Sequence, residues 1–474
     1  HWRAARDPRA LAATIRAGDA AMQGYSFDIA LREFEQALLL WDDDGGVADI
    51  DHIDLLERTT RAAMLAPDFR RAVDACQAAI DELGSGDRVR ATRLRILLGR
   101  TKWISGDWGG ATPEYERALE IAPPDPPDVR VRALAGLGQI YMLEARFSEA
   151  RPYCEAAVEG AIAIGDRSLE GHGRNTLGVV LGGLGETEAA EASIETALEI
   201  ALEIGNADDI GRAYVNKGDI EFWGGEPERA FETSVEGVRV AGEWGVASSY
   251  GSYCGYGAVA YGFECGRWAE AAELLAEADR IASADVGTHA YRASYVLEYQ
   301  ANIGDPAFEP LFLETRRSAD ERQSVGHDVM LFAGAIAHYA YAADFDRAAE
   351  LGWEGIDKLR RTDLWLRLME LARLAAWPIA EQGRAARVAD DAKALARARA
   401  DMERLSSLTS EWAAGISPGT RLSRVVAANE AGIRAEEARL EGTDTAGTWH
   451  EIATEWDALG WPYRAAQARW REAA

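Results

Sequence analysis

Leu137-Gly138, Leu177-Gly178 and Lys217-Gly218 stand 40 residues apart inside the stretch Val131 to Gly245, and that recurrence decides how the chain is read. Twelve residues after each glycine comes an alanine, Ala150, Ala190 or Ala230, and seven further on stand Ala157, Ala197 and Gly237. Each copy closes on a small-residue turn: Ile164-Gly165-Asp166, Ile204-Gly205-Asn206, Trp244-Gly245-Val246. Within a copy, apolar residues recur at three- and four-residue steps, as in Leu134, Leu137, Ile140 and Tyr141, which marks one face of a helix. A short polar turn follows, Glu144-Ala145-Arg146 or Gly225-Glu226-Pro227, and then a second helix. Pro227 suits its first turn, where a backbone N–H has no helical partner to lose. The repeated glycine and alanines let the two helices approach closely. Such a hairpin cannot bury its apolar stripe alone, so copies must stack.

The pattern extends outward to Ala30, Ala72 and Ala111 on one side and to Ala271 and Ala348 on the other. Three residues before the alanine there is usually a ring: Phe27, Phe69, Trp108, Phe147, Trp268, Phe345; Thr187 and Pro227 are the exceptions. The expected fold is therefore all-α: an α-solenoid of helical hairpins with a period of about 40 residues. Three blocks are expected within one continuous solenoid: 1–121, 128–362 and a degenerate C-terminal region, 363–474. Asp7-Pro8 starts the first helix. The proline-rich run Ala122 to Pro127 is a stiff connector between the first two blocks. Repeat eight, around His289 to Gln323, is degenerate, and repeat nine recovers over Asp328 to Arg361. After Trp377-Pro378 the register is lost, and Val388 to Leu408 reads as one long helix.

Leu134, Leu137, Gly138, Tyr141, Ala150 and Ala157 fall at the spacing of the tetratricopeptide repeat, which this array resembles. The resemblance implies a right-handed superhelix. It departs from the family in its longer period, in lacking the closing proline, and in Arg174 and Lys217, which replace apolar residues.

The chain has 474 residues, 48% of them hydrophobic, and a formal charge of −28. That charge argues against this segment gripping nucleic acid or an anionic membrane. No apolar run reaches the roughly 18 residues that would cross a bilayer, and no signal peptide is expected. Cys76, Cys154, Cys254 and Cys265 have no metal or redox spacing, and reduced thiols in a cytoplasm are expected. Asp42-Asp43-Asp44-Gly45-Gly46 lacks the spaced ligands of a calcium loop and reads as a solvated turn. His327 and His338 are too far apart along a helix for one metal ion. No nucleotide, hydrolase, zinc or dinucleotide motif appears, so the segment is read as non-catalytic and without a metal or cofactor of its own.

In tetratricopeptide proteins the first helix of each hairpin lines a concave groove, chiefly through its second, fifth and ninth positions. Carried over, this gives Arg93, Arg132, His172, Arg212 and Tyr253 at the second position, with Arg100, Gln139, Asn175, Asp219 and Tyr256 among the others. A basic column of this kind suits an acidic peptide end, a phosphate or another anion, because arginine offers a two-pronged fork. The bland alternative is that the arginines pair with neighbouring carboxylates. Trp103, Phe222, Trp223 and Phe263 come near the helix ends and are expected to add apolar contact.

Both termini carry a second resemblance. His1-Trp2-Arg3-Ala4-Ala5 with Ala17-Gly18-Asp19-Ala20-Ala21, and Trp456-Asp457-Ala458-Leu459-Gly460-Trp461-Pro462-Tyr463 with Trp470-Arg471, resemble the segments flanking the repeat region of large ATP-binding LuxR-type transcriptional regulators. The chain starts at His1 and stops inside a helical pattern, so a piece of a longer protein is expected. The resemblance implies a signalling ATPase upstream, which would bind ATP, and a DNA-binding domain downstream. Between them this region would take a protein, peptide or small-molecule effector, with oligomerisation through the parent protein. The alternatives are a constitutive peptide-binding scaffold, or the regulatory region of a cyclase- or kinase-linked ATPase.

Overall fold

The computed structural model describes residues 9–41, 50–283, 286–322 and 328–473. The expected helix start at Asp7-Pro8, the loop Asp42 to Gly46, His327 and the motif at His1 lie outside them. Among the described residues there are 23 helices and no strand, and the fold is an all-α helical-repeat solenoid. The helices pair as α1 (Arg9–Gln23) with α2 (Phe27–Leu39), α3 (His52–Leu65) with α4 (Phe69–Leu83), and α5 (Arg88–Ile104) with α6 (Trp108–Ile121). Then come α7 (Pro127–Leu143) with α8 (Phe147–Ile164), α9 (Arg167–Gly183) with α10 (Thr187–Ile204), and α11 (Ala207–Trp223) with α12 (Pro227–Glu243). The next pairs are α13 (Ser252–Glu264) with α14 (Trp268–Ile281), α15 (Val286–Ile303) with α16 (Phe308–Arg322), and α17 (Asp328–Tyr341) with α18 (Phe345–Leu359). Five helices complete the chain: α19 (Trp365–Val388), α20 (Ala392–Ala413), α21 (Arg421–Glu441), α22 (Ala446–Ala458) and α23 (Pro462–Ala473).

The recurring residues occupy one structural position. Phe27, Phe69, Trp108, Phe147, Thr187, Pro227, Trp268 and Phe345 are each the first residue of a hairpin's second helix. The alanines three residues on, Ala30, Ala72, Ala111, Ala150, Ala190, Ala230, Ala271 and Ala348, are all 0% exposed. A Cβ added at Gly178 would lie 3.3 Å from the Ala190 carbonyl, and one at Gly218 would lie 2.8 Å from Ser234 Oγ. The small residues are thus where first and second helices touch. Several first helices start on a capped turn: the side chains of Asp51, Asp87, Asp166 and Asn206 accept from the backbone N–H three residues on. Each cap is worth about 1 kcal/mol.

The described chain divides into two compact units, His1–Ile140 with Glu159–Gly165, and Tyr141–Val158 with Asp166–Ala474. In the first, hairpins α1–α2 and α3–α4 share a core around Phe34 and Leu55, and α3–α4 packs on α5 through Cys76, Leu94 and Leu98. In the second, α19 to α23 do more than extend the stack. The Asp363 N–H donates to the Ala145 carbonyl (2.8 Å), and the Trp365 indole N–H to the Gly183 carbonyl (3.1 Å). Arg421 Nε and the Trp461 indole N–H both donate to the Gly225 carbonyl, at 2.9 and 3.4 Å. Pro462 lies over Gly266. The C-terminal helices therefore cover the turns between first and second helices of four central hairpins. Gly185 (φ +82°) and Gly225 (φ +88°) serve twice here: they take a left-handed turn, and a Cβ would meet Trp365 at 3.1 Å and Val425 at 2.8 Å respectively. One continuous stack does not anticipate these contacts, since units of a solenoid touch only their neighbours.

The helix expected over Val388 to Leu408 starts at Ala392 and runs on to Ala413, because Val388 is the last residue of α19. Asp390 adopts φ +52°, and the Asp391 side chain accepts from the Lys393 and Ala394 N–H groups to start α20 afresh. Among the described residues no helix is long and apolar enough to cross a membrane.

Candidate functional site

Arg93, Arg100, Arg132 and Gln139 belong to the first unit. Arg93 is exposed and sits 3.6 Å from Asp128, Arg100 and Arg132 are exposed, and Gln139 is half-buried. This is the arrangement of solvated helix faces, and a pair like Arg93–Asp128 is worth at most about 1 kcal/mol.

The second unit gathers three of the expected residues into one site. His172 and Asn175 come from α9 and Arg212 from α11, whose equivalent positions stack side by side because the hairpins repeat in register. One nitrogen of the Arg212 guanidinium lies 3.1 and 3.3 Å from the two ring nitrogens of His172, and the other donates to Thr176 Oγ1 at 2.9 Å. His172 Nδ1 is 3.0 Å from Asp209 Oδ1. Arg212 forms no ion pair with any described carboxylate; burial lowers its proton affinity, against the attraction of Tyr250, Asp209 and Asp208. Asn175, 1% exposed, accepts from Asn216 Nδ2 at 2.5 Å, while its own Nδ2 is buried with no hydrogen-bond partner. A buried amide donor without an acceptor costs about 1–3 kcal/mol, so an unpaired guanidinium beside one is a site that asks for an acceptor.

Asp219, two turns along α11, faces different neighbours. Its Oδ1 accepts from the hydroxyls of Tyr261 (2.5 Å) and Tyr295 (2.6 Å), and burial pushes its carboxyl up despite those bonds. Tyr253 stacks on Tyr291 with ring centres 4.4 Å apart. Tyr256 has no polar atom left for a ligand: its hydroxyl is spent on Asp279, which Arg292 also holds. Phe222 and Phe263 are likewise unavailable, because Trp461 and Tyr463 pack on them at 5.2 and 4.3 Å between ring centres. Trp103 stacks on Trp108 and Trp223 contacts Phe147. The second-position rule missed Thr176, Asp209 and Asn216, which lie off the positions it weighs.

A dense ionic cluster sits where α23 meets α13, α15 and α19. Glu264, Glu298 and Glu370 bring carboxylate oxygens within 4.8 Å of one another, the spacing of a metal site. Arg464 stands among them, bonded to Glu264 at 2.9 Å and to Glu370, so its guanidinium fills the place a cation would take. Arg367 pairs with Glu370 at 2.8 Å. Burial, reinforced by Glu370 and Glu264, pushes the Glu298 carboxyl up to about 8. The Arg464, Arg367 and Arg373 charges instead hold Glu370 down to about 2 against its burial.

A tetratricopeptide repeat model matches residues 172–203, the hairpin that carries His172 and Asn175. No curated protein matches the chain. Among solved structures, a Rap protein complexed with competence and sporulation factor is similar at 13% identity and a TM-score of 0.56, covering 74% of this chain and 98% of its own. RapI in its apo form is 12% identical over 56% of this chain and 97% of its own, at a TM-score of 0.45. BtubC from P. vanneervenii is 18% identical over 50% of this chain and 91% of its own, at a TM-score of 0.36.

Proposed function

We propose that this chain is a non-catalytic interaction scaffold that binds a peptide or an extended protein segment on the first-helix face of its central repeats. The observation that carries the reading is the pair Arg212 and Asn175: a guanidinium without a carboxylate, beside a buried amide donor without an acceptor. A peptide supplies what both lack. Its terminal or side-chain carboxylate matches the guanidinium fork, and a backbone carbonyl satisfies the amide. The similar Rap protein is complexed with competence and sporulation factor, which agrees with reading this fold as one that holds a partner.

In the finer form of the proposal, the scaffold is the sensor and coupling region of an ATP-dependent transcriptional regulator. Peptide or effector binding would bias the array between two states, which requires different affinity for each. The support is the resemblance of the two termini to LuxR-type regulators. The standing-scaffold alternative predicts binding without change of shape.

The test is a pool of short unstructured peptides carrying free C-terminal carboxylates, set against the same pool amidated. The carboxylate pool binds in a saturable manner, and Arg212→Ala and Asn175→Ala each weaken it at least tenfold while Tm changes by no more than about 2 °C. Equal binding of both pools, or equal loss of binding and stability, rejects the reading. Sequencing the parent gene on both sides tests the coupling: a phosphate-binding loop upstream and a helix-turn-helix downstream support it.

A further inference from the structure

A cavity of about 60 Å³ lies between α19, α21, α22 and α23, walled by Trp377, Trp449, Trp456, Leu374 and Ile452. Three arginines reach it, and they are not equivalent. Arg471 is held by both oxygens of Glu436, at 2.8 and 2.7 Å, and by Glu381. Arg464 is held by Glu264 and Glu370. Arg373 has no ion pair: its one hydrogen bond is a long 3.4 Å contact to Gln467 Oε1, and its Nε is buried with no partner. Its stem runs past Gly432, where a Cβ would stand 3.5 Å away. Gln467 is itself fixed, donating to the hydroxyls of Tyr463 (2.9 Å) and Tyr341 (3.2 Å).

Buried charges are ordinarily paired, because desolvation is costly without a counter-charge. Among the described residues no carboxylate contacts the Arg373 guanidinium: Glu370, Glu264 and Glu298 attract it and Arg464 repels it without an ion pair, so at the mostly apolar cavity it lines there is a place for a contact anion. Two features set the kind of anion. The free Nε and the terminal nitrogen beside it, Nη2, which is not the one near Gln467, form the fork that a carboxylate meets with two bonds. The indole walls favour an apolar body over a second charge. The volume limits that body: at roughly 10–15 Å³ per water-sized occupant, the cavity holds about four to six non-hydrogen atoms. A larger body needs the Trp470 ring, 48% exposed and in edge contact with Trp377, to swing aside.

We propose that this cavity is a binding site for a small monocarboxylate with an apolar body, a short aliphatic chain or a single ring, whose carboxylate pairs with Arg373. The site is distinct from the one around Arg212 and stands whether or not that one binds peptides.

Calorimetric titration of the full chain with butyrate and with benzoate tests it. At least one binds saturably at one site per chain; butyramide, benzamide and sulfate bind at least tenfold more weakly. Arg373→Met weakens the carboxylate at least tenfold and leaves Tm unchanged or raised, since it removes a desolvated charge whose attraction to Glu370 is offset by its repulsion from Arg464. Trp470→Ala, at an exposed ring, changes the benzoate-to-butyrate preference, and Arg212→Ala changes nothing. Absence of saturable binding by both acids up to millimolar concentration overturns the proposal. So does unchanged affinity in Arg373→Met, a marked fall in that variant's Tm, or sulfate binding as tightly as the acids.

Discussion

Arg464 and Glu264 are 200 residues apart in the chain, yet the guanidinium of one lies 2.9 Å from the carboxylate of the other, with 3% and 5% of the two side chains exposed. This pair joins the last helix, α23, to the end of α13. Removing one partner of a buried pair leaves the other charge stranded. Arg464→Met is expected to cost about 3–5 kcal/mol. Glu370 keeps Arg367 as its partner, so neutralising Glu264 as well, in Glu264→Gln/Arg464→Met, recovers more than half of that loss. Urea denaturation of the three chains reads both numbers; a double variant as unstable as the single one contradicts the argument.

Glu298 makes stability depend on pH. Its carboxyl is raised from 4.5 to about 8 in the folded chain by burial and by Glu370 and Glu264. Between those values the folded chain holds a proton that the unfolded chain releases, so this group's contribution falls as pH rises through the window. Glu298→Gln keeps the shape and never ionises. It should therefore gain on the native chain from pH 5 to pH 8, by no more than about 1.4 kcal/mol per pH unit. The check is the Tm difference between the two chains at pH 5, 6.5 and 8; a constant difference rules this out.

Two glycines inside helices should respond oppositely to alanine. A Cβ at Gly183 would overlap the Phe147 ring, while one at Gly109 meets nothing within 4 Å. Gly183→Ala is expected to destabilise by about 1–3 kcal/mol through overpacking. Gly109→Ala should stabilise by up to about 1 kcal/mol through helix propensity. Thermal unfolding of both variants decides: stabilisation of both would show that the packing around Phe147 yields, and destabilisation of both would refute the propensity argument at Gly109.

The thiols should be slow. Cys76, Cys154 and Cys254 are buried and Cys265 partly so, and burial pushes Cys76, Cys154 and Cys265 up to about 12. A thiol so rarely ionised is a poor nucleophile. A disulfide reagent at pH 8 is expected to label at most Cys265 before the chain unfolds. Rapid labelling of two or more would contradict this.

The hairpins were legible because one rule, a small residue where two helices cross, leaves the same mark every 40 residues or so. Ala190 and Ala230 announce their position by recurring. The contacts of the C-terminal helices leave no such mark: Trp461 meets the Gly225 carbonyl across 236 residues, and nothing periodic links them. For that reason Phe222 and Phe263 read as open groove residues, although Trp461 and Tyr463 cover them. His172, Asn175 and Arg212 could be found by counting positions, but position says nothing of partners. That Arg212 lacks a carboxylate and Asn175 lacks an acceptor depends on every neighbour at once.

The cover that α19, α21 and α23 lay over the central turns changes how the array answers a load. A bare stack of hairpins is a spring whose coils slide past one another independently, each giving a little. Here the coils are stitched along one edge, at Ala145, Gly183, Gly225 and Gly266. Tension across the central hairpins meets the stitches first, so the array should resist small forces stiffly and then yield in a single step as the edge tears.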